Sequence, residues 1–117
     1  MSFLDTPNAN VLARFLDVAA ARQGVVAENL ANIDVPGYRT RDIDFRSAMQ
    51  QALDGEEFRT QVRQVPGLLE RPDGNNVSLD REGLLLAQTQ LQFRVGTQLL
   101  RAEFRRLQMA IQEGRQG

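Results

Sequence analysis

Two stretches at opposite ends of the chain repeat their apolar residues in alternating steps of four and three, a pattern suited to long helices that pair. In the first, Leu12, Leu16, Ala19, Gln23, Val26, Leu30 and Ile33 follow at 4-3-4-3-4-3 spacing. That is the heptad period of a helix whose seam faces another helix. Thr6-Pro7 starts it, since threonine caps free N–H groups and proline fits the first helical position. The spacing predicts a helix over 7–33, about 40 Å long. Its centre is shallow at Ala19 and Gln23. Gly24 beside them costs about 1 kcal/mol against alanine, unless it lets a neighbouring backbone approach.

The second stretch predicts a helix over 78–113, capped by Ser78, with Asp80 and Glu82 in a first turn that favours carboxylates. Its seam is Leu79, Leu86, Gln90, Phe93, Thr97, Leu100, Phe104, Leu107 and Ile111. A second stripe, Leu84, Leu91, Val95, Leu99, Ala102 and Met109, runs beside it. One partner helix covers a seam but not both stripes. Either residues 40–70 fold back over the second stripe, or other subunits do. The expected fold is mainly α: long N- and C-terminal helices paired as a coiled-coil-like hairpin, with a less ordered middle insert, in one domain over 1–117.

The insert, 34–77, carries shorter signals. Pro36-Gly37 suits a type II turn, with proline presetting φ and glycine accepting a positive one. Val35 before it is pushed toward extended backbone. Arg46 to Leu53 fits two helical turns, Asp54-Gly55-Glu56-Glu57 a turn, and Thr60 to Val65 a short strand ended by Pro66-Gly67. Arg71-Pro-Asp-Gly-Asn-Asn76 reads as a polar linker rich in turn residues. So little apolar density predicts a region that firms up only against neighbours.

Composition argues against chemistry. The chain has no cysteine and no histidine, which removes thiolate chemistry, the usual general base and the commonest metal ligands. Asp42 and Asp44 share a face of a short extended segment, yet lack the ligand ladder of a calcium loop and read as solvated carboxylates. Arg39 and Arg41 alternate with them as pairing candidates. No catalytic residue, metal or cofactor is expected, and Tyr38 reads as a packing anchor. Fourteen basic and 15 acidic residues leave a net charge of −1, giving no pull toward nucleic acid or an anionic membrane. No run approaches the roughly 20 apolar residues of a membrane span, and the opening residues lack the pattern of a cleavable secretory signal. Every basic residue is arginine, which favours multidentate packed contacts.

The junction after the first helix is the most specific segment. Glu28-Asn-Leu-Ala-Asn-Ile-Asp-Val-Pro-Gly-Tyr38, followed by Arg39, resembles the N-terminal signature of bacterial flagellar rod and hook axial proteins. There a long helix ends in Asn-hydrophobic-Ala-Asn, then Thr-Pro-Gly-Tyr/Phe and a basic residue. Arg41-Asp-Ile-Asp-Phe45 and Asn76-Val-Ser-Leu-Asp-Arg-Glu82 are similar to segments of the FlgB-type proximal rod branch. The resemblance covers about two thirds of the chain. Val35 departs from it by replacing the threonine. The sister proximal rod protein carries a C-terminal motif rich in valine, asparagine and glutamate, which Leu84 to Ile111 does not match.

That resemblance implies a structural subunit of the flagellar basal-body rod, exported through the flagellum's own type III apparatus, that transmits torque without catalysing a reaction. It implies partners among its own copies, related rod proteins and the export-gate or adaptor base. It also marks Asn29, Ala31, Asn32, Pro36, Gly37 and Tyr38 as the motif that turns the chain toward the next subunit. Leu12, Leu16, Val26, Leu30, Leu86, Phe93, Leu100, Phe104, Leu107 and Ile111 are the expected helix-seam assembly residues. The competing reading is a soluble helical binding protein, such as an export chaperone, that uses the second stripe as a groove for a partner helix.

Overall fold

A computed structural model describes residues 6–57, 59 and 61–116. The opening Met1–Asp5, read above for a signal, and Thr60, the first residue of the expected strand, lie outside them. The element order is α1 (Pro7–Ala31), β1 (Arg41–Ile43), α2 (Phe45–Leu53), β2 (Val62–Gln64) and α3 (Leu79–Gln116). The long helices lie antiparallel: Gly96 of α3 sits against Phe15 and Leu16 of α1, and Asn8 hydrogen-bonds Glu103. At 38 residues against 25, α3 runs past the start of α1, and the molecule measures 71 × 25 × 18 Å.

Local chemistry sets the boundaries. The Thr6 hydroxyl accepts from the Ala9 N–H at 3.2 Å and caps α1, and Ser78 does the same for Arg81 at the head of α3. α1 stops at Ala31, two residues before the end expected from the heptad, because Asn32 takes a non-helical cap conformation. Ile33 therefore lies in the turn. Asp44 caps α2 through the Ser47 N–H at 3.0 Å. β1 and β2 form an antiparallel pair with Arg41 opposite Gln64 and Ile43 opposite Val62.

The insert packs on α1 and leaves the second stripe of α3 open. Val18, Val25, Ile43 and Ala48 form its core, flanked by Ala21, Phe45 and Met49. Phe15 meets Phe45 edge to face at 5.4 Å. Leu84, Leu91, Val95, Leu99 and Met109 stay 42–70% exposed. Gly24 faces open space, so it admits no neighbouring backbone.

The seam of α3 differs from the sequence reading by part of a turn. The line buried against α1 runs Glu82, Leu85, Thr89, Gly96 and Glu103, of which Glu82, Thr89, Gly96 and Glu103 lie a heptad apart. Leu86, Phe93, Leu100 and Leu107 are half-buried along one edge of that line. Leu79, Gln90, Phe104 and Ile111 are exposed. The cause is steric. A Cβ on Gly96 would lie 2.8 Å from Leu16 Cδ2 and 3.0 Å from Phe15 Cδ1. Small and tucked residues bring the helix axes close, and the large apolar ones are displaced to the flanks. On α1, Ala19 and Val26 are buried, while Leu12, Leu16, Gln23 and Leu30 are half-buried.

Candidate assembly surface and the turn that supports it

Asn29 anchors the turn. Its side chain is fully buried. Nδ2 donates to the Arg41 carbonyl at 2.8 Å, and Oδ1 accepts from the Arg41 N–H at 3.1 Å and the Tyr38 hydroxyl at 3.0 Å. The amide thus imitates a neighbouring strand, satisfying both backbone groups of one residue and a phenol besides. Burial, with Glu28 nearby, raises the Tyr38 phenol above its ordinary value, which keeps it a donor. Asn32 closes the helix: Nδ2 donates to the Glu28 carbonyl at 2.8 Å. The Val35–Tyr38 turn forms as the proline and glycine require, with the Tyr38 N–H on the Val35 carbonyl at 3.2 Å and Gly37 at φ +76°. Ala31, Val35, Pro36 and Gly37 are exposed.

The segment read as a linker is the second half of this device. Its Asn75 side chain is fully buried, and its Nδ2 bridges the carbonyls of Asn32 at 2.9 Å and Val35 at 2.8 Å. Asn76 Oδ1 accepts from the Thr40 N–H at 2.7 Å. Arg71 donates to the carbonyls of Val77 and Ile33. The two turns touch through their backbones: the Gly37 N–H donates to the Asp73 carbonyl at 2.9 Å. A Cβ on Gly74, at φ +87°, would stand 3.3 Å from Gly37 Cα. The repeated turn chemistry of 71–76 signalled bends. That two consecutive asparagines would be buried had no periodic signature.

The acidic residues divide their work. Asp42 is not a solvated carboxylate and does not pair with Arg39 or Arg41. Arg22 grips it with two bonds of 3.0 Å, and Arg81 donates at 2.7 Å, so one carboxylate ties β1 to both long helices. Burial would raise its pKa, but bonds from Arg22, the Ile43 N–H and Arg81 outweigh this and hold it below the ordinary value. Asp44 is used as a helix cap, and Arg39 instead faces Glu70 at 3.5 Å. Glu82 is fully buried, with one oxygen on Arg81 at 2.8 Å. At the far end, Arg106 holds Glu103 at 2.6 Å and, as the largest cause, lowers its pKa.

What remains outward is a candidate interaction surface. α3 presents an apolar flank on each side of its buried line: Leu84, Leu91, Val95, Leu99 and Met109 on one, Leu79, Phe104 and Ile111 with half-buried Phe93 on the other. Exposed apolar stripes of this length mark contacts with other proteins. No helix among the described residues is long and apolar enough to cross a membrane.

Comparison with known proteins bears on this surface. Residues 16–39, the second half of α1 with the turn, match the family of flagella basal body rod proteins. The chain is similar to the flagellar basal body rod protein FlgB of Escherichia coli K12, 30% identical over 122 residues that cover 85% of this chain and 88% of that one. Its identity to FlgB of Salmonella typhimurium is 31% over the same shares. To FlgB of Bacillus subtilis it is 26%, over 89% of this chain and 92% of that one. The chain belongs to the FlgB family of flagellar basal body rod proteins, which are structural subunits of the rod and not enzymes.

Proposed function

We propose that this rod subunit polymerises with its own copies and with related rod proteins by packing the two flanks of α3 against neighbouring helices, and that the interlocked helices transmit torque across the periplasm. One end of the stack meets the export-gate base through an adaptor. The subunit reaches the rod by the flagellum's own type III route. The observation that carries the polymer is the distribution of apolar side chains on α3. The line facing α1 is polar or small at Glu82, Thr89, Gly96 and Glu103, whereas leucines and other large apolar residues point outward. In this reading the motif residues Asn29, Ala31, Asn32, Pro36, Gly37 and Tyr38 fix the direction in which the chain leaves α1. Leu12, Leu16, Val26 and Leu30 hold α1 beneath α3, and Leu86, Phe93, Leu100, Phe104, Leu107 and Ile111 form one assembly edge.

The test is charge on the opposite flank. Leu91→Asp with Val95→Asp changes two exposed positions, so the folded subunit should keep its helicity and be exported. It should be missing from purified basal bodies, with motility lost. Normal incorporation and normal rod yield would overturn the proposal. Comparing Gly37→Val with Leu16→Ala at matched stability loss isolates the turn. A larger assembly defect in Gly37→Val supports its directing role, and equal defects remove it.

A further inference from the structure

Where the turn, β1 and the head of α3 meet, two fully buried side chains each keep one polar atom without a protein partner. Thr40 and Glu82 are both 0% exposed, and among the described residues Thr40 Oγ1 and Glu82 Oε2 have no hydrogen bond. Glu82 uses only its other oxygen, which accepts from Arg81 at 2.8 Å. Burying a hydroxyl is unfavourable unless it is hydrogen-bonded, and burying a carboxylate far more so. Native interiors leave few such groups unsatisfied.

The backbone aims both side chains at one place. Burial alternates from Tyr38 to Asp42, with Arg39 and Arg41 exposed and Tyr38, Thr40 and Asp42 turned inward. Extended backbone sets alternate side chains on one face, so Thr40 stands between the Tyr38 ring and the Asp42 carboxylate. Both of those neighbours look onto the head of α3. Asp42 accepts from Arg81 at 2.7 Å, and the same guanidinium holds Glu82. The Tyr38 phenol, raised chiefly by burial and Glu28, also feels the Glu82 charge. The chain entering α3 runs alongside: the Asn76 N–H donates to the Tyr38 carbonyl at 3.3 Å, and Asn76 Oδ1 accepts from the Thr40 N–H at 2.7 Å.

We infer that one water molecule is held between Thr40 Oγ1 and Glu82 Oε2, accepting the hydroxyl proton and donating to the carboxylate. The two side chains do not bond each other, and a buried water joins polar groups that a direct bond does not reach. Charge favours a neutral ligand. Arg22 and Arg81 offset Asp42 and Glu82 within the cluster. Glu28 and Arg41, the other charges felt at Tyr38, are exposed and opposite in sign. The water completes a path Arg22–Asp42–Arg81–Glu82–water–Thr40 that connects α1, β1 and α3, and it fixes how α3 leaves the turn. The inference is independent of the rod-subunit reading.

The test is a crystal structure of the full-length chain at a resolution that shows ordered water, for wild type, Thr40→Ser and Thr40→Val. A water within hydrogen-bond distance of Glu82 Oε2 and the residue-40 hydroxyl is expected in wild type and Thr40→Ser, and is lost or displaced in Thr40→Val. Urea unfolding supplies a second readout whose sign decides. Removing a bonded hydroxyl should raise the unfolding constant of Thr40→Val about fivefold, whereas removing an unsatisfied one would lower it. A direct Thr40–Glu82 bond, a metal ion in place of the water, no water touching both groups in the wild-type crystal, or a Thr40→Val chain at least as stable as wild type each overturns the inference. If Thr40→Val fails to fold, the wild-type and Thr40→Ser crystals decide alone.

Discussion

Replacing Asn29 by alanine tests whether the hydrogen-bonded turn holds the insert on α1. The change removes three bonds at once: the donation to the Arg41 carbonyl and the acceptances from the Arg41 N–H and the Tyr38 hydroxyl. A net hydrogen bond contributes about 1 kcal/mol, and a buried group left unpaired costs about 1–3 kcal/mol. The Arg41 backbone recovers some water, because Arg41 itself is exposed, so the loss should be roughly 2–4 kcal/mol. Tyr38→Phe removes one of the three bonds and should cost about 0.5–1.5 kcal/mol. In the Asn29→Ala background it should cost almost nothing, since its partner is gone. Urea unfolding followed by far-ultraviolet circular dichroism measures all four corners of this cycle. Asn29→Asp sharpens it by turning a carboxylate oxygen toward the Arg41 carbonyl, and it should not restore stability. The reasoning fails if Asn29→Ala lies within about 0.5 kcal/mol of wild type, or if Tyr38→Phe keeps its full effect without Asn29.

Asn75→Ala should destabilise comparably, because the carbonyls of Asn32 and Val35 both lose a donor; amide exchange in 71–77 would read it. Gly96→Leu should separate the helices at Phe15 and Leu16 and lower stability by about 1–3 kcal/mol through overpacking, whereas Gly83→Leu, facing open space, should not. The folded-state pKa of Asp42 is depressed, so its stabilisation is present above the ordinary carboxylate pKa and is lost as pH falls through the lower folded value. Asp42→Asn should therefore flatten the acid side of the stability-pH profile and leave little further loss below pH ~4. The melting temperature of the wild-type chain should rise with protein concentration, as burial of the flanks in self-association adds to folding.

Legibility in the sequence followed periodicity. The two long helices were readable because heptads, Thr6-Pro7 and Ser78 are local signals, and the turn at Pro36-Gly37 because its residues admit few conformations. The short elements were found near their positions, since Asp54-Gly55 and Pro66-Gly67 punctuate them. Which face of α3 meets α1 was misread, for a clear reason. Hydrophobic patterning assumes that the most apolar line is the buried one, while Gly96 and Thr89 win the contact by letting the backbones approach. The polar latch was also invisible. Asn29 and Asn75 are ordinary turn or surface residues until the fold places Arg41, Asn32 and Val35 around them, across up to 43 positions of sequence. Asp42 was legible as a charge, but its partners Arg22 and Arg81 come from different helices.

The inverted dress of α3 bears on how assembly proceeds. Leu84, Leu91, Val95, Leu99 and Met109 each retain roughly half of their surface, so covering that flank yields on the order of 1 kcal/mol per side chain, about 5 kcal/mol in all. Bringing two bodies together costs an estimated 4–15 kcal/mol. One flank therefore sustains at best a fleeting pair. A subunit entering a lattice that covers both flanks gains nearly twice as much for a single loss of translational and rotational freedom. Growth on an existing stack is favoured over pairing in solution, so such subunits stay apart while dilute and add where a template presents two neighbours at once. The polar seam serves the same end. Glu82, Thr89 and Glu103 fill the buried line with bonds made within α3, to Arg81, the Leu86 carbonyl and Arg106, and the apolar area that a solitary hairpin would spend on its own interior remains for the neighbours.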